Sequence, residues 1–329
     1  MPARPLPVNA IRLDVPTLKQ RHKSNFLPRN TYLKPDTKTL KDFKSFGSGS
    51  VSLAPRYAPG IALIELRNAE KKNAMSPKMM VDLTRAVGDL ETLCKDTEDE
   101  KEGSDLVGVV LCGEGGDLCS GFDLSSTPPT KAFHPSFSTQ MSTLMHQTLH
   151  RLRRLPLITL ASISGHAIGG GAELALSCDY RLISPHTRLK FVQIGMGVTP
   201  GWGGGVYLQS HLRHGKVLEI LGTGRSLGAE ELRRLELAEV VDGEKICVRE
   251  AGVEFLRKFT HDAQGNLRPA HVVREMKRLV SAASGVGTEE EWEMLEKERE
   301  SFVRLWGQWA NRQAVEKFVG TGKGERNNL

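Results

Sequence analysis

The stretch LITLASISGHAIGGGAELALSC, residues 157–178, decides the fold. Its first seven residues are mostly apolar, which predicts a buried strand over 157–163. A glycine turn follows, and we predict a helix from Gly170 to Cys178. Consecutive glycines let the backbone approach a ligand with no side chain in between. The first N–H groups of a helix have no partner inside it and lie at its positive end. This turn is therefore expected to direct an amide at an oxygen that gains negative charge.

A second glycine turn, CSGFDL at residues 119–124, follows another predicted buried strand at 106–111. If Phe122 offers an amide from this turn to the same oxygen as Gly170, the two amides form an oxyanion hole. Loss of one such donor typically raises a reaction barrier by about 2.7–4 kcal/mol. The turns lack the G-x-G-x-x-G spacing and the later acidic residue of a dinucleotide site. The pair therefore indicates a site for an oxyanion.

The flanking sequence alternates between predicted strands and helices. Strands are predicted at 61–66, 181–184 and 189–193, and helices over 77–94 and 139–152, with an irregular loop over 127–138. This alternation indicates a mostly parallel α/β arrangement. From Gly203 onward the pattern is helical, with a short strand at 238–242 and helices over 226–235, 246–260, 268–283 and 288–306. An apolar face on the last of these helices predicts packing against the core or another subunit.

The charge of the chain is concentrated at one end. The 329 residues carry 45 Lys and Arg against 39 Asp and Glu, a net charge of +6. Residues 1–50 hold ten Lys and Arg and three Asp, a net charge of +7, which leaves −1 for residues 51–329. We predict a flexible basic arm over 1–50, a core over 51–245 and a helical region over 246–329. A solvated tail of this kind does not indicate a nucleic-acid partner.

The cysteines and the uncharged stretches bear on the compartment. Five scattered cysteines without metal-ligand spacing are typical of reduced thiols, and we expect no metal site. The longest uncharged stretch, 155–172, is rich in Gly and Ser and predicts no membrane span. The basic arm suits a mitochondrial leader, but six prolines up to Pro35 oppose the required amphipathic helix. A cytoplasmic location is expected, with a mitochondrial one as the alternative.

Four motifs make the sequence resemble the crotonase, or enoyl-CoA hydratase/isomerase, superfamily. They are RNAEKKNAM at 67–75, SGFDL at 120–124, the glycine triplet with Glu173, and PGWGG at 200–204. The resemblance covers about residues 52–322. It implies a spiral of ββα units with a C-terminal helical trimerisation region, acyl-CoA thioesters as substrates, and no cofactor beyond the CoA of the substrate. The segments RLPLI at 154–158 and 298–311, with Trp202 before two glycines, are similar to ethylmalonyl-CoA decarboxylases.

The resemblance also implies site residues. By motif match, the backbone amides of Phe122 and Gly170 form the oxyanion hole, and Glu173 is a catalytic residue. The expected substrate-binding residues are Lys72, Asn73, Ala74, Gly121, Asp123, Leu124, Gly169, Gln193 and Trp202.

One departure from the family pattern decides the predicted reaction. Hydratases use two glutamates, and Gln193 stands at the second position, seven residues before Pro200. An amide cannot act as a base, so hydratase activity is expected to be poor or absent. Loss of CO2 from a malonyl-type thioester needs only a stabilised enolate and a proton donor. We therefore predict a lyase in fatty acid metabolism that decarboxylates ethylmalonyl-CoA or methylmalonyl-CoA.

Several alternatives stay open at this level. Glu173 is the proton donor if burial keeps it protonated, or else it pairs with the amide dipole at the start of its helix. The rival activities are an isomerase, an acyl-CoA hydrolase or a residual hydratase. The rival from another class is a catalytically idle protein that binds a partner or RNA through the arm. We expect a homotrimer or a dimer of trimers, without nucleic acid or membrane as a partner.

The remaining polar residues carry weaker expectations. His166 is expected to pack in the core behind the glycine turn. Trp202 either walls the acyl pocket or packs against the core. Ser120 has no recognisable His and Asp partners and is not expected to be a nucleophile. Asp179 is expected to be a turn or cap residue.

Overall fold

Six strands form the main sheet. The computed structural model describes residues 36–94, 105–241 and 247–321. The sheet has the order β1-β2-β3-β4-β6-β9, and only its edge strand β1 is antiparallel to its neighbour. A second sheet has the order β5-β7-β8. The strands are β1 Ser50–Ala58, β2 Ile61–Arg67, β3 Gly108–Gly113, β4 Ile158–Ile163, β5 His166–Ile168, β6 Tyr180–Ile183, β7 Arg188–Lys190, β8 Ser226–Gly228 and β9 Glu239–Val240.

Helices surround this sheet. They are α1 Thr37–Phe43, α2 Pro77–Leu93, α3 Pro129–Ala132, α4 Pro135–Arg154, α5 Gly170–Leu176, α6 Gly204–Gln209, α7 His214–Thr223, α8 Ala229–Arg234, α9 Val248–Thr260, α10 Ala270–Ala283, α11 Glu289–Leu305 and α12 Trp309–Thr321. The predicted start of α2 is confirmed, because the Ser76 hydroxyl accepts the amide of Met79 at 3.3 Å and Pro77 occupies the first turn. In the described part of the chain, no helix is long and apolar enough to cross a membrane.

Both faces of the parallel strands are buried, which explains why these strands are continuous apolar runs in the sequence. One face packs against a large apolar cluster that includes α2, α4 and α5. The other face is covered by α9, where Leu256 is fully buried and Gly252 lies against Val110. Helix α11 packs on α4 and α6, and its residues Trp292, Leu295 and Phe302 are buried, as is Trp306 directly after it. The predicted packing of this helix face on the core is confirmed.

The segment 36–50 corrects the expectation of a flexible arm that ends at residue 50. Asp36 caps α1, and Phe43 of that helix is only 1% exposed, 5.2 Å from the ring of Phe137. The glycine-serine stretch after α1 is held by hydrogen bonds from the Ser76 hydroxyl to Ser48 O at 2.7 Å and from Lys78 Nζ to Gly49 O at 2.7 Å. Residues 36–50 therefore belong to the folded body. Residues 1–35 lie outside the described residues.

Other differences follow from local chemistry. Strand β1 was not predicted, because Pro55 and polar residues interrupt its alternation beside a register irregularity at Ala54–Ala58. The expected loop over 127–138 contains α3 and the first turn of α4. The helix predicted over 226–235 begins only at Ala229, because Ser226–Gly228 form β8. Asp179 accepts the amide of Thr159 at 2.8 Å, and so ties the end of α5 to β4.

Candidate active site

The two glycine turns meet because β3 and β4 are parallel neighbours, with Leu111 opposite Ala161. Parallel neighbours end at the same edge of a sheet, where α/β proteins place their ligands. The turns are joined by a hydrogen bond from the amide of Ile168 to Cys119 O at 2.9 Å. Gly121 has a φ of +94°, and a Cβ there would lie 3.1 Å from Ile168 O and 3.4 Å from the nitrogen of Gly170. The turn at 119–124 therefore passes directly against the turn before α5.

The amides of Phe122 and Gly170 are both available at this junction. The flanking residues are tied down, since Met75 donates to Gly121 O at 2.7 Å and Asp123 donates to Met75 O at 3.1 Å. Gly170 is the first residue of α5, so its N–H has no acceptor within the helix. Among the described residues, neither Phe122 N nor Gly170 N donates a hydrogen bond. The arrangement therefore offers two adjacent unpaired donors, as an oxyanion requires.

Trp202 packs directly behind Gly170. A Cβ on Gly170 would lie only 2.3 Å from Cζ3 of the Trp202 ring. The ring is buried within the large apolar cluster. Of the two interpretations that the sequence allowed for Trp202, the structure favours core packing. Its position also explains the glycine at 170, because no side chain fits between the helix start and the ring.

Glu173 lies one turn further along α5 and is buried. Its Oε2 accepts the amides of Trp202 at 2.7 Å and Gly204 at 2.8 Å, and its Oε1 accepts Gln193 Nε2 at 2.7 Å. Burial, and then the nearby charge of Glu298, raise the pKa of Glu173 to about 8, against the opposing effect of these donors. Burial therefore favours the protonated carboxyl, whereas the N–H donors around it favour the ionised one. The carboxyl pairs with the start of α6, and not with its own helix as the sequence-based alternative assumed.

Gln193, which the sequence places at the position of the second hydratase glutamate, contacts the Glu173 carboxyl directly. It begins a 3₁₀ turn over Gln193–Met196 and is 8% exposed. Its Nε2 faces Glu173, and its Oε1 is buried without a hydrogen-bond partner among the described residues. When Glu173 is protonated, rotation of this amide by half a turn brings Oε1 round to accept the proton. The pair can therefore accommodate both protonation states of the carboxyl.

Aromatic rings surround the side chain of Phe122. Its ring centroid lies 5.9 Å from that of Phe137 in α4 and 6.1 Å from that of Trp306 after α11. Trp306 is held in place by its indole N–H, which donates to Ala132 O at 2.7 Å. Phe137 and Trp306 were not predicted as site residues. Phe137 lies 15 positions and Trp306 184 positions from Phe122 in the chain, and tertiary packing that no local pattern reports brings the three rings together.

The residues expected to contact CoA lie beside the glycine turn at 119–124. Lys72 is exposed and its carbonyl accepts the amide of Ser120 at 3.0 Å. Asn73 is fully buried at a φ of 55°, and its Nδ2 donates to Glu114 O and Asp117 O. Its side chain thus shapes the turn from within.

Asp123, also predicted to bind substrate, is 5% exposed and pairs with Lys71 Nζ at 2.9 Å. Ala74 is buried and Leu124 is half-buried against the core. Gly169, at a φ of 56°, donates its amide to Lys190 O at 2.8 Å. The structure brings these predicted residues together around the two turns, and their contacts with a substrate stay a prediction.

Two other polar residues have structural partners. The expectation that His166 is a core residue is wrong, because it is half-exposed and its Nδ1 lies 2.7 Å from Asp117 Oδ1. Asp117 also accepts the amide of His166, which fixes the start of β5. The hydroxyl of Ser120 donates to Lys71 O at 2.9 Å, consistent with the expectation that it is not a nucleophile. Within the described ranges, no three His, Cys, Asp or Glu side chains form a group that could hold a metal ion.

Comparison with known proteins identifies the family. The sequence model of the family described as enoyl-CoA hydratase/isomerase matches residues 56–324. Ethylmalonyl-CoA decarboxylase of Gallus gallus is 31% identical over 300 residues, which cover 91% of this chain and 93% of that protein. Ethylmalonyl-CoA decarboxylase of Rattus norvegicus is 33% identical over 279 residues, which cover 84% of this chain and 86% of that protein.

Solved structures give the same fold. An enoyl-CoA hydratase from Mycobacterium avium subsp. paratuberculosis K-10 matches with a TM-score of 0.65 and 17% identity, over 82% of this chain and 98% of that one. An enoyl-CoA hydratase from Bacillus halodurans matches with a TM-score of 0.65 and 21% identity, over 81% and 99%. At these identities the likeness shows the fold alone. The predicted crotonase-type α/β fold is confirmed.

Proposed function

This chain belongs to the enoyl-CoA hydratase/isomerase family, and we propose that it decarboxylates a short branched malonyl-type acyl-CoA, such as ethylmalonyl-CoA or methylmalonyl-CoA. The similarity to ethylmalonyl-CoA decarboxylases over most of the chain supports this choice within the family. One observation carries it: the amides of Phe122 and Gly170 have no acceptor among the described residues, and Glu173 on the same helix as Gly170 has Gln193 in contact with its carboxyl. This set suits a reaction that needs an enolate and one proton and no base to activate water.

In the proposed reaction, the thioester oxygen of the substrate accepts hydrogen bonds from the amides of Phe122 and Gly170. The bond between Cα and the carboxylate carbon breaks, and its electron pair moves into the enolate. CO2 leaves, and the negative charge that develops on the thioester oxygen is stabilised by both N–H groups. Such donors act more strongly at an enolate than at the ground-state carbonyl, so they lower the barrier. A proton then adds to Cα and gives the shorter acyl-CoA.

Glu173 is the proposed donor of that proton. Its raised pKa supports a protonated carboxyl at neutral pH, which also avoids repulsion of the substrate carboxylate. Gln193 supports the same role, since its amide can accept from the protonated carboxyl and donate to the ionised one. Substitution Glu173→Gln is expected to lower turnover on a malonyl-type CoA by about 10²–10⁴-fold. Unchanged turnover would remove Glu173 from the mechanism.

The decisive experiment is a substrate screen with CO2 release as the readout. Malonyl-, methylmalonyl- and ethylmalonyl-CoA are compared with crotonyl-CoA, and free CoA is measured in parallel to detect thioester hydrolysis. We expect CO2 and a stoichiometric yield of the shorter acyl-CoA, without free CoA. Hydration, isomerisation or CoA release in place of CO2 would favour the rival activities. Absence of any turnover would favour a binding protein.

The proposed assembly is a homotrimer or a dimer of trimers. Helix α10 exposes a row of large apolar side chains, which are Met276, Leu279 and Val280 at 61%, 68% and 62% exposure. Trp309 at the start of α12 is 78% exposed. Apolar surface of this size is typical of an interface between copies. The molar mass of the protein, measured by light scattering after size-exclusion chromatography, tests the assembly. The mass of a monomer would contradict it. The cytoplasmic location and the absence of a cofactor stay predictions.

A further inference from the structure

Two buried carboxylates divide the amides of one short segment between them. Glu173 accepts from Gly201, Trp202 and Gly204, at 3.5, 2.7 and 2.8 Å. Glu298, in α11, accepts from Gly203, Gly205 and Val206, at 2.7, 2.8 and 3.2 Å. All six consecutive N–H groups of residues 201–206 therefore end on one carboxylate or the other. This segment is called the amide clamp below.

The sequence of the amide clamp suits this arrangement. A Cβ on Gly204 would lie 2.6 Å from Cγ of Glu173, and a Cβ on Gly205 would lie 2.8 Å from Oε2 of Glu298. Gly203 has a φ of +105°, a conformation that other residues rarely adopt. The glycines thus let two carboxylates approach a single stretch of backbone from two sides.

Glu298 is largely buried, and three of its hydrogen bonds come from backbone amides. Its side chain is 9% exposed, and His146 Nε2 of α4 lies 3.4 Å from its Oε1. From α5 it faces the acidic Glu173, and from α6 the buried phenol of Tyr207. Backbone amides are its main partners. A buried carboxylate needs hydrogen bonds or a cation to offset its lost hydration, and Glu298 draws these contacts from residues 203–206 and from His146.

Trp202 links the amide clamp, and with it Glu298, to the proposed oxyanion hole. The amide of Trp202 is held by Glu173 inside the clamp, and its ring packs on Gly170. We infer that Glu298 is a positioning residue for the proposed decarboxylation, which sets Trp202 behind Gly170 through the amide clamp and so fixes the Gly170 donor. This inference rests on the proposed function. It also connects helix α11 to the proposed oxyanion hole through the amide clamp and Trp202.

Two substitutions separate the geometry of Glu298 from its charge. Glu298→Gln keeps the length but replaces one acceptor oxygen by an N–H2 group that opposes an amide of the clamp. Glu298→Asp keeps the charge but withdraws the carboxylate by one methylene. Glu300→Gln is the matched control, because Glu300 is exposed on the same helix. The readouts are kcat and KM for ethylmalonyl-CoA, the pH dependence of kcat, and amide hydrogen exchange of residues 201–206.

We expect kcat to fall at least tenfold in both Glu298 variants, with KM within threefold, since misplacement by about 1 Å costs up to 10²-fold in rate. Amide exchange of the clamp should rise in both variants and stay unchanged in Glu300→Gln. In Glu298→Gln alone, the decline of kcat with rising pH should move to lower pH, because the charge that opposes ionisation of Glu173 is gone.

Folded Glu298→Gln with kcat within twofold of the wild type would overturn the inference, whatever its exchange shows. Clamp exchange that does not change in either Glu298 variant would also overturn it. Failure of the proposed function is distinct, because the unaltered protein would then release no CO2. In that case amide exchange, together with the affinity for ethylmalonyl-CoA in the same variants, still tests the clamp.

Discussion

Gly170→Ala should disable one donor of the oxyanion hole while leaving the rest of the site in place. The added Cβ would lie 2.3, 2.4 and 2.7 Å from three carbons of the Trp202 ring. Ordinary contacts between carbons begin near 3.5 Å, so the ring or the helix start must move by about 1 Å. The Trp202 ring is buried, and the backbone amide of Trp202 donates to Glu173. We therefore expect the start of α5 to shift, and with it the Gly170 N–H.

The magnitude follows from the loss of one donor. Removal of a single oxyanion donor costs about 2.7–4 kcal/mol of barrier, which is roughly 10²–10³-fold in kcat. KM should change little, because the predicted CoA-contacting residues at 72–74 lie between β2 and α2, away from the start of α5. The assay measures CO2 release from ethylmalonyl-CoA over a range of substrate concentrations. Gly215→Ala is the matched control, since a Cβ at that helical glycine meets nothing within 4 Å.

A compensating change makes this prediction sharper. If the clash with the indole ring is the cause, Trp202→Leu should restore part of the lost turnover in the Gly170→Ala protein. The two changes would then be non-additive, as expected for residues in contact. Folded Gly170→Ala with kcat within threefold of the wild type would refute the assignment of the Gly170 amide. An equal loss in Gly215→Ala would indicate a general effect of the substitution.

Three further predictions concern stability and specificity. The pKa of Glu173 is raised from 4.5 to about 8, so the folded protein keeps a proton that the unfolded chain releases above pH 4.5. The resulting stabilisation is complete below pH 4.5 and is lost towards pH 8, at up to about 1.4 kcal/mol per pH unit. The difference in unfolding free energy between Glu173→Gln and the wild type should follow this slope in urea titrations, and a flat difference would contradict the raised pKa. Phe43→Ala should lower the free energy of unfolding by about 3–5 kcal/mol, because its buried ring lies 5.2 Å from that of Phe137; a loss below 1 kcal/mol would speak against the packing of α1. Hydration of crotonyl-CoA should be about 10²–10⁴-fold slower than decarboxylation, since Gln193 cannot act as a base, and comparable rates would refute this reading of the site.

The sequence predicts the parts of the fold that carry strong local signals. The buried strands β3 and β4 are continuous apolar runs, and Ser76 followed by Pro77 indicates the start of α2. Strand β1 carries no such signal, because it lies at the sheet edge with a half-buried pattern. Helix α1 is hidden by its basic composition, and only the burial of Phe43 shows that it belongs to the core.

The candidate site likewise contains residues that the sequence predicts and residues that it does not. Gly170, Phe122 and Glu173 lie in turns whose glycine spacing is visible in the sequence. Glu298 is separated from Gly203 by 95 positions and lies on a helix with many glutamates. Its role depends on which face of α11 packs against α6, and helical periodicity alone does not give the partner of that face. Residues that shape a site from behind are therefore the ones that the sequence conceals.

The row of ring contacts from α1 to Phe122 affects how the N-terminal basic segment must be studied. Phe43 contacts Phe137, which contacts Phe122, the residue proposed to supply an oxyanion amide. A shortened protein that begins at residue 51 loses the outermost of these rings as well as its basic charges. If that protein lost activity or RNA binding, the cause could be either the loss of a binding segment or the loss of ring packing beside Phe122. Shortening only to residue 36 keeps α1, and it is the cut that isolates the contribution of the first 35 residues.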